Sequence, residues 1–180
     1  MKHWMLILLL LSTSFYSQAS DCSGKNWETA YRYYTTHIDQ LNTQIDNYNV
    51  ILSQSKKRHF YNHSGRLDFL EIRRRGDATE IAAIEQGYIS AKAAVQQLDE
   101  LSLDVEALTV KFNKTKNLWQ QIGNACMADD ELGRNDKAIK NGQAADIGKK
   151  EANDVLDRIA RLRERYLTEM AFINEYSETP

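Results

Sequence analysis

The chain has 180 residues, of which 42% are hydrophobic and 27% are charged, with a formal net charge of -2. Such a near-neutral balance excludes a general nucleic-acid binder, which needs a clear excess of basic residues. The length suits one domain, and no apolar stretch reaches the ~20 residues that span a bilayer.

The N-terminus has the three-part pattern of a secretory signal peptide. Lys2 and His3 precede an apolar run over 4–11, and small polar residues then lead to Ser17-Gln18-Ala19. This pattern predicts a signal peptide over 1–19 that is cleaved after Ala19, and an exported protein that is periplasmic or secreted. Lipidation of Cys22 is the alternative, but Asp21 stands where a lipidation signal has a small residue.

Two cysteines, Cys22 and Cys126, remain after that cleavage. An oxidising compartment favours a structural disulfide, and the wide spacing is unlike a Cys-x-x-Cys redox site. In an antiparallel hairpin these two residues face each other if the chain folds back near residue 74. We therefore predict a Cys22 to Cys126 disulfide.

The sequence predicts long helices, because its only proline is Pro180 and its apolar residues recur in steps of three and four. The first helix is expected over about 26–75, with a candidate break at 61–65, and the second over about 78–124. A glycine-bearing variable segment at 127–150 precedes a third helix over about 151–176. The apolar stripe of the first helix runs through Trp27, Tyr31, Tyr34, Ile38, Leu41, Ile45, Tyr48 and Leu52.

The tripeptide Arg75-Gly76-Asp77 resembles an adhesion signal, but its neighbours favour a corner between two helices. Basic residues suit a helix C-terminus, and Gly76 can adopt the left-handed conformation that ends a helix. Asp77 is a suitable N-cap, with Glu80 three residues later as in a capping box. The fold class is therefore all-α: an elongated, antiparallel, coiled-coil-like three-helix bundle held by one disulfide.

A basic tip is expected beside this corner. Its residues are Lys56, Lys57, Arg58, His59, His63, Arg66, Arg73, Arg74 and Arg75. It could make a weak contact with an anionic envelope surface, although a returning third helix would bring Glu169, Glu175 and Glu178 to the same end. His59 and His63 have the spacing of one helix face, but two ligands do not make a zinc site, so no metal is predicted.

An aromatic end is expected beside the disulfide, formed by Trp27, Tyr31, Tyr34 and Trp119. Aromatic residues at helical spacing are typical of a core, and a ligand pocket is the alternative. The sequence contains no catalytic motif that we recognise, so we expect no enzyme and no cofactor.

These observations favour an exported helical adaptor that binds another protein, such as an accessory subunit of a secretion, conjugation or efflux assembly. One alternative is a periplasmic chaperone or stress protein that binds unfolded clients. A second is a helical domain that senses a small ligand or a metal. Self-association is also open, because an apolar helical stripe can pair with a second copy.

Overall fold

A computed structural model describes residues 22–177. The predicted signal peptide and Glu178 therefore lie outside the described residues. Within them the chain forms α1 Gly24–Lys57, α2 Tyr61–Ser64, α3 Arg66–Arg75, α4 Ala78–Ala128 and α5 Leu132–Ser177. The all-helical class and the disulfide are confirmed, with the Cα atoms of Cys22 and Cys126 4.7 Å apart.

The described chain has five helices where three were predicted, because the predicted first helix is divided. Arg58, His59 and Phe60 leave the helical path after α1, and Gly65 separates α2 from α3. The three long helices are α1, α4 and α5. With 51 residues and a rise of ~1.5 Å per residue, α4 is a rod of about 75 Å.

Cross-helix contacts show that α4 runs antiparallel to both of its long neighbours. Toward α1, Asp104 Oδ2 accepts a 3.4 Å hydrogen bond from Gln44, and His37 lies 3.3 Å from Thr115. Toward α5, Arg163 contacts Asp99 near the middle of α4, and Lys116 contacts Asp146 closer to the disulfide. The disulfide closes one end of this rod, and α2 and α3 lie at the other.

The bend between α3 and α4 forms as the sequence predicts. Gly76 has φ 67°, in the left-handed region, and its N–H donates to the carbonyl of Arg73 at 3.1 Å. The Asp77 carboxylate accepts from the N–H groups of Thr79 and Glu80 at 2.8 and 3.2 Å. Glu80 does not complete a capping box, because its carboxylate pairs with Arg75 at 2.9 Å. Both charges of the tripeptide are thus used within the chain.

The prediction of a variable segment over 127–150 is wrong. After a short turn, α5 begins at Leu132 and continues to Ser177. The turn ends α4 by a Schellman pattern, with Asp130 at φ 61° and the Glu131 N–H bonded to the Cys126 carbonyl at 2.8 Å. An aspartate occupies the position where sequence analysis looks for glycine.

Small residues explain why the first half of α5 is helical. Ala138, Ala145 and Ala152 lie seven residues apart and are fully buried. Their small side chains let α5 approach α4 closely, and the bulky Trp119 and Phe112 of α4 fill the space between the helices. The second half of α5 continues the same heptad positions with larger side chains, at Ile159, Tyr166 and Ile173.

Replacing Gly148 with alanine is expected to destabilise the protein. A Cβ atom at this position would lie 2.6 Å from Cε1 of Phe112, whose ring is fully buried and has little room to move. We expect a loss of about 1–3 kcal/mol in the free energy of unfolding, measured by chemical denaturation. Gly133→Ala is the matched control, because its Cβ would meet nothing within 4 Å. Its helix propensity should raise stability by up to about 1 kcal/mol. Equal effects of the two substitutions would contradict the packing at Gly148.

Candidate functional site

The basic tip is smaller in the structure than in the prediction. Arg58 donates hydrogen bonds to Ser90 Oγ at 2.6 Å and to the Gly87 carbonyl. Arg73 donates to the Tyr176 carbonyl at 3.0 Å, and Arg75 pairs with Glu80. The side chain of Arg66 is outside the description. Lys56, Lys57 and Arg74 stay exposed, and Arg75 is also exposed although it is paired with Glu80.

The predicted placement of His59 and His63 on one helix face is wrong. His59 lies in the segment between α1 and α2, and only His63 is helical. Each ring instead contacts an aromatic neighbour: His59 contacts Tyr61 at 5.0 Å and His63 contacts Phe60 at 5.7 Å between centroids. Across residues 22–177 no group of three or more His, Cys, Asp or Glu side chains could hold a metal ion.

Sequence analysis missed the polar anchor of this end, which is the buried carboxylate of Glu169. Its side chain is fully buried and accepts hydrogen bonds from the backbone N–H groups of Tyr61 at 2.8 Å and Asn62 at 3.0 Å. It thereby satisfies donors of the first turn of α2. Burial and the nearby negative charge of Glu169 raise the pKa of Tyr61. The sequence signal was an acidic residue seven positions after Leu162, on the apolar stripe of α5.

The ring of Phe60 completes this anchor. It is almost fully buried, and the guanidinium carbons of Arg165 and Arg58 lie 4.1 and 5.4 Å from its centroid. Cation–π contacts of this kind stabilise an arginine beside a buried ring, because the attraction offsets part of the cost of removing the guanidinium from water. The cluster therefore fixes the path of the chain between α1 and α3. Its charged groups make their contacts within the protein.

Of the four residues assigned to the aromatic end, three lie in or against the core and Tyr31 does not. Trp119 is buried and meets the partly buried Trp27 edge-on, with centroids 5.1 Å apart. Tyr34 packs against the main core. Tyr31 does not: it is 61% exposed, and Ala30 occupies the buried position of this turn. A small residue is suited to this position because α1 lies close to Trp119 and Cys126 here.

A basic cavity of about 410 Å³ lies between α1 and α4 on the disulfide side of the middle of the rod. Its lining residues are Tyr33, His37, Lys111, Lys114, Thr115 and Leu118. The ring of His37 is stacked with Tyr33 and lies edge-on to Phe112. Burial and the charge of Lys111 lower the pKa of His37 below its usual 6.5, so the ring is neutral at pH 7.

We expect His37 to make stability depend on pH. Because its pKa is lower in the folded state, the unfolded chain binds more protons as pH falls below 6.5, and stability decreases. The loss is complete below the lowered pKa. His37→Gln should remove this component, as measured by thermal denaturation in neutral and mildly acidic buffers. His59→Gln is the control and should retain it. An unchanged pH dependence in His37→Gln would contradict this role.

An acidic cavity of about 310 Å³ lies between the same two helices on the bend side of the middle of the rod. Its lining residues are Gln44, Asn47, Val50, Ile51, Gln97, Glu100, Leu101 and Asp104. The α4 residues Gln97, Asp104, Lys111 and Leu118 are seven apart, so both cavities open on one face. Hydrogen bonds from Gln44 to Asp104 and from Lys111 to Gln40 cross the groove between them.

A third cavity, which we call the end groove, lies between α4 and α5 near the disulfide and has a volume of about 290 Å³. Glycine and alanine form part of its lining, at Gly123, Ala138 and Gly142. Met127 and Ile139 also line it and are 57% and 50% exposed. The salt bridge of Lys116 and Asp146, 2.9 Å long, lies at one end. An apolar rim over small residues is suited to receiving apolar side chains of a partner.

Comparison with known proteins gives no relative. No known protein family, no curated protein and no solved structure matches this chain. Within residues 22–177 none of the helices has both the length and the apolar character needed to cross a membrane.

Proposed function

We propose that this protein is an exported helical adaptor that binds another protein through the end groove. The observation that carries the proposal is the pair Met127 and Ile139, two large apolar side chains about half exposed beside glycine and alanine. The occupant that fits is the apolar face of an amphipathic helix, since small residues in the groove allow a helix to approach closely. The partner would belong to an envelope assembly of the secretion, conjugation or efflux type.

Two features support export and a structural role. The disulfide between Cys22 and Cys126 is typical of proteins that fold in an oxidising compartment. The long antiparallel helices α1, α4 and α5 act in this proposal as one elongated bundle, which holds the end groove at a fixed distance from the bend. Lys56 and Lys57 at the end of α1 and Arg74 beside the bend provide exposed positive charge for a weak contact with an anionic surface.

The test is site-specific photo-crosslinking in intact cells. A photoreactive residue at Ile139 should give one discrete partner adduct, and Met127→Glu in the same chain should abolish it without changing the melting temperature. Leu103, which is 66% exposed on another face, is the matched control position and should not capture that partner. Equal capture of the same protein from both positions, or none at Ile139, would overturn the proposal.

The same experiment separates the adaptor from a chaperone. A protein that cradles unfolded clients would give a broad smear of adducts from several exposed apolar positions. The exposed large apolar side chains in the described chain are Tyr31, Tyr33, Val50, Ile89, Leu103, Val110, Met127, Leu132, Ile139 and Ile147. A smear from Ile139, Leu103 and Val50 alike would favour the chaperone and count against the adaptor.

A further inference from the structure

The outward face of α4 carries a second apolar repeat that the fold does not use. Ile89, Leu103 and Val110 are all more than half exposed. They occupy heptad positions of one face, and the exposed Ala107 lies between the last two. None of them faces α5 or the core. One apolar stripe is enough to pack α4 into the bundle. The second stripe is therefore a candidate binding surface for a partner.

The charges beside this repeat are arranged symmetrically along the helix. Glu100 and Lys114 each lie seven residues from Ala107, on opposite sides, whereas Asp104 lies three residues before it and Lys111 four residues after it. All four side chains are exposed, and neither Glu100 nor Lys114 has a hydrogen bond or salt bridge within the described residues. Acidic residues are on the bend side of Ala107 and basic residues on the disulfide side.

The neighbouring helix α1 repeats the same symmetry. Gln40 contacts Lys111, and Gln44 contacts Asp104. Ala107 is therefore level with the part of α1 between Gln40 and Gln44. The exposed apolar residues Tyr33 and Val50 lie at similar distances on either side of that level, one lining the basic cavity and the other the acidic cavity. The pattern is therefore shared by two helices.

We propose that two copies of this chain pair antiparallel across the α1–α4 face, about a two-fold axis near Ala107. The rotation brings Glu100 of one copy level with Lys114 of the other, and brings Asp104 to within about one residue, or ~1.5 Å, of the level of Lys111. It also sets the acidic cavity of each copy against the basic cavity of the other. Leu103 lies within about one residue, or ~1.5 Å along the axis, of Val110 in the second copy. A two-fold interface of this kind is self-complementary, as isologous contacts require.

The area is sufficient for a specific dimer. The face from Tyr33 to Val50 is about 25 Å long at ~1.5 Å per residue, and two packed helices are about 20 Å wide. Each copy thus covers about 500 Å², or about 1,000 Å² in total, which is near the lower limit for a specific interface. We therefore expect reversible association in the micromolar range, driven by the apolar repeat and oriented by the charges.

Charge reversal tests this arrangement by sedimentation velocity of the exported, oxidised protein. The wild type should dimerise with rising concentration, whereas Glu100→Lys and Lys114→Glu should each weaken self-association at least tenfold. An equimolar mixture of the two variants should form a heterodimer, because both charge pairs are then restored. The double variant with both reversals should recover the wild-type dimer. Glu151→Lys, an exposed reversal on α5, is the matched control and should leave the dimer unchanged.

A cysteine at the axis provides an independent measurement. In the oxidised protein no cysteine of the described chain is free, so Ala107→Cys supplies one free thiol. In the dimer this thiol should lie beside the same thiol of the second copy and form an intermolecular disulfide. Asn117→Cys, exposed on the same helix but away from the axis, should crosslink much less. Equal crosslinking by both variants would overturn the proposed register.

A wild type that remains monomeric up to millimolar concentration would overturn the proposal, as would a mixture of the two reversals that does not associate. A monomer whose Leu103 crosslinks to a different protein in cells would assign this face to that protein instead. These measurements need no partner at the end groove. The dimer and the adaptor function can therefore fail separately.

Discussion

The free energy of unfolding of Cys126→Ser is expected to fall by up to about 4.7 kcal/mol relative to the oxidised wild type. The disulfide joins residues 104 positions apart, and in the chain-entropy model a loop of about 100 residues gives a stabilisation of this size. Urea denaturation followed by circular dichroism measures the effect. The loss should be accompanied by faster hydrogen exchange in the first turns of α1, because Cys22 holds them beside α4.

The control for this prediction is the wild type in reducing buffer. Reduction should bring its midpoint down to that of Cys126→Ser, which should itself be insensitive to the reductant. Trp27→Ala in oxidising buffer gives a comparison in which the packing against Trp119 is lost and the disulfide stays. If oxidised and reduced wild type unfold at the same denaturant concentration, the disulfide does not stabilise the fold.

Glu169→Ala is expected to lower the free energy of unfolding by about 3–6 kcal/mol, because it removes two hydrogen bonds to a charged group, each of which contributes about 1.5–3 kcal/mol. The substitution leaves the N–H groups of Tyr61 and Asn62 without this acceptor and opens a cavity where the buried side chain was. Glu169→Gln keeps the volume and one acceptor oxygen, so its loss should be intermediate. Glu151→Ala, on the exposed side of α5, should be close to neutral.

Hydrogen exchange distinguishes this anchor from general core packing. In Glu169→Ala, protection should be lost over α2 and α3 and retained in α4 beside the disulfide, because only the short helices depend on the carboxylate. Uniform loss of protection along the rod would mean that Glu169 stabilises the whole bundle rather than the path between α1 and α3.

The features predicted well from the sequence were those with local chemical signatures. The bend at Gly76 was predictable because one residue type ends a helix in the left-handed conformation and Asp77 begins the next. The disulfide was predictable because the position of that bend brings Cys22 and Cys126 to the same level. Both predictions depend on residue types and positions in the sequence and not on how distant helices pack.

Two of the errors, the variable segment over 127–150 and the buried position expected for Tyr31, have a common physical cause, which is that the closest helix contacts use small side chains. Ala138, Ala145 and Ala152 form the buried stripe of α5 near the disulfide, and Ala30 replaces Tyr31 in α1. A search for large apolar residues overlooks such positions. The alanines become recognisable only when the bulky Phe112 and Trp119 are known to face them.

The candidate sites were predicted less well, because charged residues near a helix end can serve the fold or the surface equally in sequence. Arg58 and Arg75 were assigned to a basic tip but satisfy carbonyl or carboxylate oxygens within the chain. Glu169 was expected only as a neutralising charge. The burial of Glu169 results from the packing of α5 against the segment at 58–65, which the local sequence does not reveal.

The disulfide also makes residues 22–126 a covalent ring that includes the whole bend. A protease that nicks an exposed site such as Arg74 would open the ring without dividing the molecule. The two pieces would migrate as one species on a gel until a reductant is added. A single cleavage at the basic tip would therefore not release a fragment. Separation of the two pieces would require a second cleavage or reduction of the disulfide.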